Sequence, residues 1–400
     1  MLRPNTRALS GLLGLLTMIG PFSTDMYIPS LPEMVRLLAT TPANVQLTLS
    51  SYLIGFAVGQ ILYGPFSDRY GRKPVILVAL AIYSLASLAC AVTPSIETLI
   101  VARFFQAIGG SGVVVLARAI VRDLYSGARA ARELAIMGAV MGFAPIVAPL
   151  VGALLQSHFG WRANFVLVIG FAIFLAVAVK ILLPETLRQR APERIALMPI
   201  LGIYRMLLEN RVFLAHLAIL ATAYSGLFAW ISGSSFVLQD LYGLSPFAFG
   251  MAFSGSCIGY LLGVWIAARI VVRLGIDRTL QWGSLVFAIG GLLTMASVAL
   301  DWRNGAALAV PVAIFLFGLG LILPQAMAGA LSPFPTRGGA ASSLMGFTQQ
   351  TSAALLGVLL GHLLGNSAWP LALAIGGPGI LTLVLWFATK DARAREATPS

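Results

Sequence analysis

The sequence predicts an all-α polytopic membrane protein, with twelve transmembrane helices arranged as two pseudo-symmetric six-helix bundles. Three observations carry that prediction. The 400 residues are 58% hydrophobic and only 10% charged, whereas a soluble globular chain carries about 25% charged residues. The charges gather in short segments between apolar runs, and each run is long enough to cross a bilayer at 1.5 Å rise per residue. The two halves also show a weak self-similarity at an offset of 204 residues, which places Gly55 and Gly59 on Gly259 and Gly263, and Arg69 and Gly71 on Arg273 and Gly275.

Taken in order, the apolar runs give candidate helices at 8–30, 45–66, 75–94, 97–119, 133–156, 161–183, 212–238, 246–271, 279–299, 306–331, 339–365 and 369–389. Arg3 and Arg7 precede the first run as they would precede a signal peptide. That run extends to about Pro29, too far for a signal core, and is read as a retained helix. With the N-terminus inside, 22 of the 26 basic residues fall in cytoplasmic segments, Arg36, Arg162 and Arg303 fall outside, and Arg103 lies within a span. The positive-inside rule therefore predicts both termini in the cytoplasm. It also explains the net charge of +12 as topology, with some attraction to anionic headgroups, rather than nucleic-acid binding. The expected organisation is an N-terminal bundle over 1–183, an Arg-rich cytoplasmic linker over 184–211, a C-terminal bundle over 212–389 and a tail over 390–400. Cys90 and Cys257 read as small buried hydrophobes, and His158, His216 and His362 as interfacial residues at helix ends.

The charges inside the spans point to chemistry. Asp25 stands about five residues from the outer end of helix 1, and Arg103 about six from the outer end of helix 4, so they lie at similar depth. An unpaired charge there costs several kcal/mol, so the pair is expected to share an ion pair or a wet cavity. Desolvation and a neighbouring guanidinium act on a carboxyl's proton affinity in opposite senses, which suits a group that takes and releases a proton. Both charges belong to the first half, because the offset maps Asp25 to Ala229 and Arg103 to Ala307.

A dense basic turn, Gly64-Pro-Phe-Ser-Asp68-Arg69-Tyr-Gly71-Arg72-Lys73-Pro, links helices 2 and 3 on the cytoplasmic side. Gly64 is expected to allow close packing and Gly71 a tight reversal, while Asp68 can accept from Arg or from a helix N-terminus. No His-Glu-x-x-His, no acidic cluster within a span and no Gly-x4-Gly-Lys occurs. An enzyme and an ATP-driven pump are therefore not expected, and neither is any metal or cofactor. The repeat and the buried charges argue against a passive channel.

The turn resembles the signature between helices 2 and 3 of the major facilitator superfamily. Arg103-Phe-Phe-Gln106-Ala-Ile-Gly109 resembles that superfamily's helix-4 motif, and Ala148-Pro149-Leu-Val-Gly152 the helix-5 motif of its drug:proton antiporters. Thr24-Asp25-Met26-Tyr27-Ile28-Pro29, with Val121-Arg122-Asp123-Leu124-Tyr125 and Pro184-Glu185-Thr186, is similar to the Bcr/CflA branch, which exports bicyclomycin, phenicols and other drugs. The resemblance implies a functional monomer in the bacterial inner membrane, driven by the proton gradient. Asp25 would be the coupling acid, Arg103 the basic group that responds to it, and Asp68, Arg72 and Asp123 an inner gate. Pro149 would kink helix 5. The chain departs from the antiporter motif at Ala144, Ala148 and Ala153, where glycines are usual, and looser packing of helix 5 is expected there.

A substrate cavity is expected to draw on polar and aromatic positions of both halves: Tyr52, Gln60 and Gln106, with Tyr224, Phe228, Trp230, Phe236, Gln325 and Gln349. The expected function is proton-coupled export of drugs. The alternative is a transporter of one small metabolite, such as an amino-acid derivative or a sugar.

Overall fold

The computed structural model describes residues 6–125, 127–187, 197–334 and 337–394. Every regular element among them is helical. Compact packing divides the chain into two units, residues 1–195 and 196–400. Among the expected inside charges, Arg3, Arg188, Arg190, Arg194 and Arg395 lie outside the described residues.

The first unit contains α1 (Arg7–Asp25), α2 (Leu31–Leu37), α3 (Pro42–Tyr70), α4 (Arg72–Val92), α5 (Ile96–Leu124), α6 (Gly127–Phe159) and α7 (Arg162–Leu182). Side-chain oxygens of Thr6, Thr41 and Ser95 accept backbone N–H bonds at the starts of α1, α3 and α5. Each satisfies a donor that the helix itself leaves open. The core is built from one face of each helix, including Leu13, Leu16 and Ile19 of α1, Leu80 of α4, Leu116 and Ile120 of α5, and Leu175 of α7, all fully buried. Val78, Leu85, Phe174 and Ile181 are exposed on the opposite faces, which suit a hydrocarbon surround.

One expected helix is divided. The run expected over 8–30 stops at Asp25 and continues as a 3-10 turn (Ile28–Ser30) followed by α2. Pro29 and Pro32 have no N–H to offer the carbonyls four residues back, and here the chain leaves the α-helix for a 3-10 turn before α2 begins. Asp25 is thereby the last helical residue of α1.

The second unit contains α8 (Leu197–Glu209), α9 (Arg211–Ser235), α10 (Pro246–Ala299), α11 (Gly305–Leu331), α12 (Gly338–Leu363), α13 (Trp369–Ala388) and α14 (Lys390–Ala394). The expected linker thus carries a helix of its own, α8. The span expected to end at 238 passes from α9 into a π-helical turn, Phe236–Leu241. Helix α10 holds two expected spans, broken at Gly275, whose φ of 78° and ψ of 172° are non-helical. Phe287 and Phe315 stack at 3.8 Å between ring centroids in this unit's core.

Among the described residues, nine helices are long and apolar enough to cross a membrane, and α10 is one of them. Counted as two, α10 raises the number to ten. Helix α1, cut short at Asp25, and α12, with Ser342, Ser343, Thr348, Gln349 and Gln350 in its first half, complete the twelve expected segments.

Candidate functional site

The first unit holds two clusters of charged groups. The first surrounds Arg103, about two turns into α5. Its side chain is fully buried, projecting from α5. One nitrogen, Nη1, donates to Gln106 Oε1 at 2.5 Å, one helical turn further on. Gln106 is fixed in turn, its Nε2 donating to Ser87 Oγ at 2.8 Å. The guanidinium lies over the rings of Tyr52 at 4.3 Å and Tyr27 at 4.6 Å, with Phe165 at 5.9 Å. These faces carry partial negative charge and attract a cation. Hydrogen bonds lock the surrounding shell: Tyr27 Oη with Thr48 Oγ1 at 2.6 Å, and Ser23 Oγ with Tyr83 Oη at 2.6 Å.

Asp25 is also buried, 3% exposed, and its Oδ1 accepts from Thr24 Oγ1 at 2.7 Å. The direct Asp25–Arg103 ion pair, one of the two expected arrangements, is not formed. Among the described residues, the ion pairs join Arg72 to Asp68 and Asp123, Arg205 to Glu209, Arg303 to Asp301, and Arg393 to Asp277. Arg103 instead engages Gln106 and lies over the rings of Tyr27 and Tyr52. Gly152 of α6 presses on the chain just beyond Asp25, where a Cβ would overlap the Met26 carbonyl. The expected loosening at Ala144, Ala148 and Ala153 does not occur, since all three are fully buried. Pro145 and Pro149 lie inside α6, and each removes one i→i−4 bond.

The second cluster is the turn between α3 and α4. Gly71 takes φ 100° and ψ 155°, a conformation open essentially only to glycine. The Arg72 guanidinium then reaches back to Asp68 Oδ1 at 2.6 Å and across to Asp123 Oδ2 at 2.8 Å and Oδ1 at 3.3 Å. Ser67 Oγ takes a further bond at 2.5 Å. Asp68 therefore serves its own turn through Arg72. The anion at a helix N-terminus is Glu185, which accepts from the backbone N–H groups of Arg72 at 2.9 Å and Lys73 at 3.1 Å, at the start of α4. It also accepts from Thr186 and Leu187, each at 3.0 Å. Thr186 Oγ1 donates to Asp123 Oδ2 at 3.2 Å, closing the network. Arg69 lies over Tyr70 at 5.4 Å. Gly64 does not act as a close-packing point, because a Cβ there would meet nothing within 4 Å.

The expected cavity residues fall into different settings. Tyr52 and Gln106 are committed to Arg103. Gln60 is half-buried in α3. In the second unit Phe228, Trp230, Phe236 and Gln325 are buried, while Tyr224 and Gln349 are half-buried. Trp230 stacks on Phe253 at 5.8 Å, a packing role within that unit. A cavity of about 210 Å³ opens elsewhere in the second unit, between Tyr242, Asp301, Arg303, Asn366 and Trp369, and includes none of the expected residues. His158 and His362 are exposed, as interfacial residues should be. His216 is not interfacial. It is 1% exposed and packs where a Cβ on Gly329 would overlap its ring.

Sequence reasoning missed Tyr27, Ser87, Thr48 and Glu185. Tyr27 and Glu185 were present in the quoted runs, but nothing in their spacing says what they face.

Comparison with known proteins agrees with the architecture. The profile of the Major Facilitator Superfamily matches residues 13–350, and the chain belongs to that family. It is 32% identical to multidrug resistance protein D of Escherichia coli (strain K12), over 97% of each chain. It is 29% identical to a bicyclomycin resistance protein homolog of Haemophilus influenzae, over 94% of each. In fold it is similar to the nucleoside transporter NupG, with a TM-score of 0.77 at 13% identity over 96% of this chain and 99% of that one. The protein is a multi-pass membrane transporter and not an enzyme.

Proposed function

We propose that this transporter exports drugs or other xenobiotics across the bacterial inner membrane in exchange for protons, by alternating access. The names of its relatives support the substrate class. The observation that carries the coupling mechanism is a buried carboxyl, Asp25, in the same unit as a buried guanidinium, Arg103, without an ion pair between them among the described residues. A carboxyl tied permanently to Arg103 could not take up a proton at ordinary pH. A carboxyl left free by a guanidinium that has other partners can do so, and can pass the proton on when the guanidinium comes to it.

In this reading Arg72, Asp68, Asp123 and Glu185 form the inner gate on the cytoplasmic side. The excess of arginine in inside segments supports cytoplasmic termini. The working unit is a monomer that needs no cofactor.

The test is a drug-susceptibility panel in a pump-deficient bacterial host, with and without Asp25→Asn. The wild type should raise resistance to at least one phenicol or bicyclomycin-like drug, and the variant should not, although it reaches the membrane in equal amount. Everted vesicles of Asp25→Asn that still release protons fully on drug addition would sink the coupling role. Resistance to no drug, with uptake or release of one metabolite instead, would replace the substrate class.

A further inference from the structure

We infer that Tyr52 and Tyr27 are the counter-groups that hold Arg103 when it is not on Asp25, so that the proton cycle is an exchange of the guanidinium between two ring faces and a carboxylate. The inference rests on the proton-coupled reading above and adds the residues that make the exchange reversible.

The geometry is unusual for a buried cation. Arg103 is fully buried, yet no carboxylate lies in ion-pair contact with it among the described residues. Of its three nitrogens only Nη1 has a hydrogen-bond acceptor, Gln106, while Nε and Nη2 find none within reach among the described residues. A charge held this way is costly unless something else offsets it, and what surrounds the planar group is aromatic. Tyr52 and Tyr27 approach from α3 and from the segment after α1, at 4.3 and 4.6 Å. The Tyr27 hydroxyl pairs with that of Thr48, and its ring lies against the guanidinium.

The groups that face Arg103 are Gln106, Tyr27, Tyr52 and Phe165, and none of them is a carboxylate; Asp25, a buried carboxyl, lies two residues before Tyr27 in the chain. A ring is a good temporary partner for this purpose. It attracts the cation without fixing it in a two-pronged bond, and it does not compete for the proton. When Asp25 gives its proton to the aqueous phase, the guanidinium leaves the rings for the carboxylate. When a proton arrives from the other aqueous phase, the guanidinium returns to the rings. Tyr52 is thus a positioning residue, acting on the carboxyl through Arg103.

The test varies the ring face at constant shape. Phenylalanine and its mono-, di- and trifluorinated forms are placed at position 52, because each fluorine withdraws electron density from the face. The readout is the pH titration of the Asp25 carboxyl in purified protein, followed as the infrared carboxylic-acid band that Asp25→Asn removes. The midpoint should move one way and stepwise across the series, by roughly one pH unit in all, as the guanidinium passes from ring to carboxylate. In an Arg103→Met background the series should collapse to a single midpoint. A flat series in the presence of Arg103 overturns the inference, and so does a trend that survives without Arg103. If Asp25→Asn removes no titrating band, the coupling role of Asp25 fails instead, which separates the two results.

Discussion

The turn at 64–74 and its repeat at 268–278 share a backbone and differ in almost everything else. Gly71 and Gly275 both sit at positive φ, 100° and 78°, and both interrupt a long helical run. Around Gly71 the chain builds an ion network of Arg72, Asp68 and Asp123, with Glu185 closing on the next helix. At the corresponding positions the second unit has Ile276 for Arg72, Val272 for Asp68 and Met327 for Asp123. Its ion pair is a different one, Asp277 with Arg393 of α14, at 2.7 Å. The reversal therefore needs only the glycine, and the charged network is an addition made in one half. The difference separates what shapes the turn from what the first unit does with it.

The same substitution in both turns tests that separation most severely. Gly71→Ala should destabilise the protein by about 3 kcal/mol, since it adds backbone strain to a Cβ lying 2.6 Å from Glu185 Oε2. Gly275→Ala carries the strain alone, because its Cβ would meet nothing within 4 Å, and should cost about 1–2 kcal/mol. Thermal unfolding in detergent measures both, and equal losses would erase the comparison.

The next largest effect is expected from Arg72→Met, which strands Asp123 and Asp68. We expect a loss of about 2–3 kcal/mol and a fall of roughly tenfold in export rate. Arg393→Met should cost about 1–2 kcal/mol, because its partner Asp277 is half exposed, and should leave the export rate within about twofold. Export as impaired by Arg393→Met as by Arg72→Met would move the gate out of the first unit.

Glu185→Gln keeps the shape but removes the charge facing the start of α4. It should cost about 1 kcal/mol and slow export a few-fold. The smallest effect belongs to Asp68→Asn, whose carboxylate is half exposed. Its stability cost should stay below about 1 kcal/mol and transport should slow without loss of drug binding. Binding abolished in purified protein would place Asp68 at the ligand instead of the gate.

Much of this was legible in the residues. The twelve segments followed from hydropathy, and the pairing of Arg72 with Asp68 follows from a four-residue spacing on one turn. The twin glycines followed from the 204-residue offset. What was not legible depended on rotation and on distance along the chain. Depth placed Asp25 level with Arg103, but the direction in which α5 turns its arginine is set by packing against α3 and α4. Glu185 meets Arg72 across 113 residues, and no local pattern reports that contact. Arg393 counted only as an inside charge, although its side chain is 2% exposed.

Gly152 sets a clearance. A single Cβ at that position would strike the Met26 carbonyl, so α6 and the chain leaving α1 are spaced to less than one methyl group. Met26 is flanked by Asp25 on one side and Tyr27 on the other. A residue larger than glycine at 152 would therefore displace the acid and one of the rings together, without touching either. Gly152 is thus a spacer between α6 and the segment that carries Asp25 and Tyr27.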